Sequence, residues 1–176
     1  MDTMDEGRNA ELARRARAAG AVTTADVFAG SPDDRPAVAG VLPYTDHFMP
    51  SIEEAHALTG RTDLTGTAEF FPDRGVTCCA FTLGAEGAYH HHRDGTIFTV
   101  PAFDVDVRCT CGCGDAFDAG FAVAILRGMD PETSVRFAQA TSALNATRLG
   151  SQAGVEGFDH TWDLMLRTPH KGRKAA

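Results

Sequence analysis

The chain has 176 residues, the length of one ordinary domain, with 16 Lys and Arg against 24 Asp and Glu for a formal net charge of −8. That acidic balance repels nucleic acid and anionic membrane at long range, and its apolar content of 43% is globular, not disordered. No run approaches the roughly 20 apolar residues that span a bilayer, and the acidic start lacks the order of a signal peptide, so a cytoplasmic protein is expected. Five cysteines, an odd number, read as reduced thiols and not as a disulfide framework.

In chain order, residues 1–8 read as a flexible start and 9–19 as a helix of Ala, Leu and Arg closed by Gly20. Residues 21–28 (AVTTADVF) are β-branched and apolar, which predicts a buried strand, and 29–34 carry the Gly, Ser, Pro and Asp of a loop. A short helix over 35–42 closes before Pro43, a short strand covers 46–49, and Ser51 opens a helix through 58, stopped by Gly60. A weaker helix over 65–74 is interrupted by Pro72. Residues 76–83 form an apolar strand, and strands over 87–92 and 96–102 flank an Arg93-Asp94-Gly95 turn. Helices over 115–127 and 131–149 follow, the second with Pro131 in its first turn, and the basic end after residue 166 reads as a frayed tail. Strands alternating with helices predict an α/β layer fold with a mostly parallel sheet, in which ligands sit where strand ends meet helix N-termini.

The strongest local signal is Thr110-Cys111-Gly112-Cys113-Gly114-Asp115-Ala116-Phe117. Its glycines let the backbone turn sharply, and the amides of Gly112, Cys113 and Gly114 converge at a helix start, a setting that favours a phosphate. Asp115 reads in two ways. It is a helix cap, or it is the base that takes a proton from a hydroxyl attacking a terminal phosphate.

These residues resemble the second signature of the ribokinase-like (PfkB) carbohydrate kinases, Asp-Thr-x-Gly-Ala-Gly-Asp-Ala-Phe followed by a small-residue helix. Four further segments fit in the same order: 22–27 (VTTADV), 42–55 (LPYTDHFMPSIEEA), 82–88 (TLGAEGA) and 137–150 (FAQATSALNATRLG). The resemblance covers roughly residues 12–153. It implies a ribokinase-like layered fold over 9–166 and an ATP- and Mg²⁺-dependent kinase acting on a hydroxyl of a sugar, nucleoside or related small alcohol. By the same resemblance, Asp115 is the catalytic base and the amides of Gly112, Cys113 and Gly114 form the anion hole. Thr82, Gly84, Gly87 and Thr110 lie along the nucleotide phosphates, Gln139 lies near the adenine, and Glu54 organises water-bound Mg²⁺.

The sequence departs from the family pattern in four places. The family's Asp six residues before the base is Cys109, and the Thr two residues after that Asp is Cys111. A thiol is a poor ligand for K⁺, which puts monovalent-cation activation in question. Ser51 replaces the family Asn, and Ser51-Ile52-Glu53-Glu54 is equally a capping box that needs no metal. The fourth departure is length. Family members are about twice as long, so the chain matches their nucleotide-side half and lacks the half with the sugar-binding glycines and lid. An unpaired sheet edge would then invite a homodimer or pairing with the missing half. The alternative from another class is a catalytically silent nucleotide-binding or interaction module.

The remaining clusters have plainer readings. Cys109, Cys111 and Cys113 do not match the paired Cys-x-x-Cys spacing of structural zinc. Cys113, at the helix start, reads as the redox-sensitive thiol. Cys78 and Cys79 point to opposite faces of a strand. His90-His91-His92 reads as an exposed strand end, Asp104 and Asp106 as solvated, and Phe117, Phe121 and Ile125 as core.

Overall fold

The computed structural model describes residues 6–27, 33 and 35–172. Helices α1 (Glu6–Ala18), α2 (Arg35–Val41), α3 (Ile52–Thr59), α4 (Leu64–Glu69), α5 (Cys113–Leu126), α6 (Pro131–Ala146) and α7 (Phe158–Arg167) accompany strands β1 (Thr24–Ala25), β2 (His47–Phe48), β3 (Cys78–Thr82), β4 (Ala88–His92) and β5 (Ile97–Val100). The strands follow one another across the sheet in chain order. β1 with β2 and β2 with β3 are parallel, with His47 opposite both Thr24 and Cys78. The links from β3 to β4 and from β4 to β5 are too short for a parallel crossover, so the sheet turns antiparallel after β3. The chain divides into two compact units, residues 1–82 with 89–97, and residues 83–88 with 98–176.

In the first unit, aromatic rings fill the space between sheet and helices. Phe71 lies 4.7 Å from Phe48 and 5.9 Å from Phe81 between ring centroids, and all three are buried. Such pairs are worth about 0.5–1.5 kcal/mol beyond the area they bury. Ser51 caps α3 and forms the reciprocal capping box with Glu54. Pro72 ends the α4 segment as a 3-10 turn, as its missing N–H requires.

Two expectations fail in this unit. The strand expected over 21–28 shrinks to two residues, and the described part is exposed or half-buried, with Val22 at 58%. Among the described residues β1 pairs with β2 alone, and Asp46 fastens it there by accepting hydrogen bonds from the N–H and Oγ1 of Thr23 at 2.9 Å each. An edge strand is covered less, however apolar its composition. The histidines of β4 are also not an exposed strand end. His90 and His91 are 2% and 7% exposed, because β4 lies inside the sheet between β3 and β5. His90 meets the thiol of Cys78 across the strands at 3.5 Å.

In the second unit α6 is the central helix, buried on nearly every side. Asp130 caps it by accepting from the N–H of Thr133 at 3.0 Å, and Pro131 occupies the first turn. Its alanines let α5 come close, and Gly120 sets the limit of that approach. A Cβ at Gly120 would stand 2.4 Å from Thr141 Oγ1, so no larger residue fits without parting the helices.

Helix α7 has no counterpart in the sequence reading. Phe158 and Trp162 stack on one face, and both lie against Phe137 of α6, at 5.0 and 6.3 Å. The period of Phe158, Trp162 and Met165 is helical, but the stretch is short and polar between those residues. The end of the chain is not frayed over its described part either. Asp104 N–H donates to Pro169 O at 2.8 Å, Lys171 N–H donates to Ala102 O at 2.8 Å, and the His170 ring lies 4.5 Å from that of Phe103. At the other end α1 begins at Glu6, inside the stretch expected to be flexible. Residues 1–5, Phe28, the expected loop over 29–34 apart from Asp33, and residues 173–176 lie outside the described residues.

Burial pushes the pKa of His90 down to about 4, with charge on His92, His47 and His91 adding to the effect and Asp94 opposing it. Burial likewise lowers His47. Cys78 beside it stays a thiol, its pKa pushed up to about 12 by burial. A histidine with a depressed folded-state pKa stabilises the fold fully above its ordinary value of 6.5, and that stability is lost as pH falls toward 4. For His90 the loss is on the order of 2–3 kcal/mol. Urea unfolding midpoints should therefore drop between about pH 7 and pH 4.5, and less so in His90→Gln. Identical pH profiles for the two proteins would show that His90 does not drive the acid sensitivity.

Candidate functional site

α5 begins two residues earlier than expected, at Cys113, because Gly112 supplies the N-cap in the left-handed region at φ 70°. Only glycine adopts that conformation without strain, and a Cβ there would also lie 2.4 Å from Ser151 O. Asp115 consequently sits three residues past the cap, in the first turn of α5, and does not cap the helix. Its side chain is exposed. It opens on a cavity of about 300 Å³, lined also by Ala116, Ala119, Thr141, Ser151 and Gln152.

The turn leading to α5 is held from behind. Asn145 of α6 is fully buried, and its side-chain amide donates to Cys111 O at 2.7 Å. The same nitrogen lies 3.6 Å from the sulfur of Cys113. Its Oδ1 is buried with no hydrogen-bond partner among the described residues. Cys113 N–H turns back to Thr110 O at 3.2 Å, closing the turn, while Thr110 and Gly114 stay exposed. Thr110, Gly112, Cys113, Gly114 and Asp115 thus come together as the sequence implied, with Ser151 against Gly112 and Thr141 on the cavity wall. Asn145, Thr141, Ser151 and Gln152 were not singled out in the sequence. A polar residue inside an otherwise buried helix was the available signal for Asn145.

Gln139 is buried in α6 and is not part of that cavity lining. Gly84 and Gly87 shape the turn after β3, where Leu83 N–H donates to Gly87 O at 2.8 Å. Gly87 packs directly on the backbone at Val100 and Ala102. Thr82 and Glu54 belong to the first unit. Thr82 N–H donates to Pro50 O at 3.2 Å. Glu54 Oε2 accepts from the N–H and Oγ of Ser51 at 2.8 and 2.7 Å, so the capping box of the sequence is present. No group of three or more His, Cys, Asp or Glu among the described residues is arranged to hold a metal ion.

The three turn thiols differ in their surroundings. Cys113 is half-buried, with Ser142 O and Cys109 O at 3.6 and 3.9 Å from its sulfur. The thiol whose surroundings lower its pKa is Cys109. The backbone N–H groups of Cys111 and Gly150, and then the Cys111 S–H, point at it and hold its pKa below the ordinary thiol value. The same sulfur–sulfur hydrogen bond raises Cys111. Cys113 is expected to be the redox-sensitive thiol from its place at the helix start; the N–H donor that reaches a turn sulfur reaches Cys109 instead.

Removing the Asn145 amide leaves Cys111 O without its buried donor, at a cost of about 1–3 kcal/mol. Asn145→Ala should lower the urea midpoint and increase backbone hydrogen exchange over residues 110–114. Unchanged exchange there would mean that the turn holds its shape without Asn145.

The model of the pfkB family of carbohydrate kinases matches residues 1–156. The ribokinase of Haemophilus influenzae is 29% identical over 130 residues, which are 71% of this chain and 42% of that protein. The structure of Arabidopsis thaliana ribokinase complexed with ribose and ATP superposes with a TM-score of 0.80 at 26% identity, covering 91% of this chain and 52% of that one. A putative ribokinase II from Escherichia coli, in complex with ATP and Mg²⁺, gives a TM-score of 0.81 at 25% identity over 89% and 52%. The chain spans about half the length of the relatives it matches. No helix among the described residues is long and apolar enough to cross a membrane. With its glycine turn, its exposed aspartate and its ribokinase-like fold, the chain belongs to the pfkB family of carbohydrate kinases.

Proposed function

We propose that this chain carries the phosphoryl-transfer centre of an ATP-dependent kinase acting on a hydroxyl of a sugar, nucleoside or related small alcohol. The observation that carries this reading is Asp115, exposed in the first turn of α5 at the wall of a cavity of about 300 Å³, directly behind a left-handed glycine turn. The ribose and ATP in the Arabidopsis relative support it.

Asp115 takes the proton of the attacking hydroxyl as the oxygen closes on the terminal phosphate. The amides of Gly112, Cys113 and Gly114, at the positive end of α5, receive the charge that builds on the transferred group. Cys113 N–H now lies on Thr110 O, so it serves the phosphoryl group only once the turn yields that bond. Thr110, Thr82, Gly84 and Gly87 flank the phosphate chain in this reading, and Gln139 contributes near the adenine. Mg²⁺ fits as an ion carried by the nucleotide phosphates and water, since no protein cage is present among the described residues. When bound it neutralises phosphate charge. Glu54 would meet it only through water, because its Oε2 already serves Ser51.

Calorimetric titration with ADP should show binding in the range of about 10 µM to several mM. With the missing sugar-side half supplied in trans or by fusion, Mg-ATP and a panel of pentoses, hexoses and nucleosides should show one acceptor class stimulating ADP release. Asp115→Asn should slow that release about 10²–10⁴-fold while leaving ADP affinity nearly unchanged. Equal rates in Asp115→Asn would remove Asp115 from the role of base. Binding of ADP without transfer to any acceptor would favour a silent nucleotide-binding module.

Gly112→Ala places a Cβ against Ser151 O in a strained backbone, so it should weaken ADP binding at least about tenfold with the rest of the fold retained. Unaltered binding would show that this turn does not face the nucleotide.

A further inference from the structure

We propose that Cys109 is a peroxide-reactive thiol and Cys111 its resolving partner, so that oxidation closes an intrachain Cys109–Cys111 disulfide in the turn ahead of α5. The inference does not depend on the kinase reading. It rests on a hydrogen bond to one sulfur and on the exposure of two neighbouring thiols. Cys111 N–H lies 3.3 Å from Cys109 Sγ. The backbone N–H of Cys111 first, then that of Gly150 and the Cys111 side chain, hold the Cys109 pKa below the ordinary thiol value. Donors of this kind stabilise a thiolate over a thiol, and the thiolate is the species that attacks peroxide. Cys109 is half-exposed and Cys111 exposed, so both are accessible to a small oxidant.

The other cysteines are excluded by their surroundings. The sulfur of Cys113 is half-buried and turned toward the carbonyl oxygens of Ser142 and Cys109, away from solvent. Cys78 and Cys79 are buried in β3, and burial raises both.

In the first step Cys109 sulfur donates an electron pair to one oxygen of hydrogen peroxide. The O–O bond breaks, the departing hydroxide takes a proton and leaves as water, and Cys109 becomes a sulfenic acid. In the second step Cys111, losing its S–H proton, attacks the oxidised sulfur. The S–S bond forms, the S–O bond breaks, and the hydroxyl leaves with that proton as a second water. Sulfur loses two electrons in all, and the peroxide gains them. A small dithiol reductant reverses the change by exchange. The ring closed is short, and the turn already folds the backbone of Cys111 onto the sulfur of Cys109.

The test uses the full chain, hydrogen peroxide in small excess, alkylation of the remaining thiols, and tryptic mapping. Residues 109–127 form one tryptic peptide that holds Cys109, Cys111 and Cys113 and no other cysteine. That peptide should lose two hydrogens and carry a single alkyl group, on Cys113. Cys111→Ser should instead accumulate a sulfenic acid at Cys109 that dimedone traps. Cys109→Ser should oxidise at least about tenfold more slowly. Oxidation of Cys113 first, an equal rate in Cys109→Ser, or a disulfide between chains would each overturn the proposal. Alkylation of Cys78 or Cys79 in a variant would reveal that it has unfolded. Pulse alkylation of the unsubstituted chain then decides, with Cys109 reacting first in support and Cys111 or Cys113 reacting first against.

Discussion

The amide of the fully buried Asn145 reaches out of α6 to hold the carbonyl of Cys111 at 2.7 Å. Much of the site depends on that bond. It fixes the turn from the side away from solvent, so the outer face can stay open. Gly112 then lies so close to Ser151 that no side chain fits, and its left-handed backbone starts α5 at Cys113. Asp115 faces the cavity because the helix starts there. A start two residues later would rotate the carboxylate about 200° around the helix axis. The buried Oδ1 of Asn145, without a partner among the described residues, marks the cost of using a polar side chain as this brace.

The glycine turn, the capping box of α3 and the Asp130 cap of α6 were legible in the sequence because each is local. A few neighbouring residues meet their own backbone, and the pattern is written where the structure forms. The resemblance to the family extended that legibility to the order of the elements. What the sequence did not reveal depends on contacts made far along the chain. Residues 21–27 have the composition of a core strand, yet edge position leaves them exposed. The three histidines look like a surface run, yet strands on either side of β4 bury two of them. The helical spacing of Phe158, Trp162 and Met165 was readable, but what that face packs against, Phe137 of α6, was not. Asn145 and Ser151 enter the site only because α6 and the segment after it fold back on the turn.

The cysteine positions illustrate the same division. Position in the sequence selects Cys113, which stands first in the helix. The hydrogen bonds select Cys109, four residues earlier, because the chain around Gly150 brings an N–H to it. Family resemblance marks positions 109 and 111 as departures. The structure adds what those departures do, which is to set the N–H of Cys111 on the sulfur of Cys109 inside a turn whose neighbouring residues carry the proposed chemistry.

The end of the described chain is tied to the segment leaving β5. Backbone hydrogen bonds run from Asp104 to Pro169 and from Lys171 to Ala102, and the ring of His170 covers that of Phe103. Phe103 also belongs to the apolar cluster that α6 and α7 share. Early and late residues of the second unit therefore clasp each other, and α7 is strapped down at its far end. During synthesis this cluster cannot close until residues 158–171 have left the ribosome. A protease cut after Arg167 would free the strap and uncover Phe103, turning the chain's least conspicuous stretch into the latch of the unit's core.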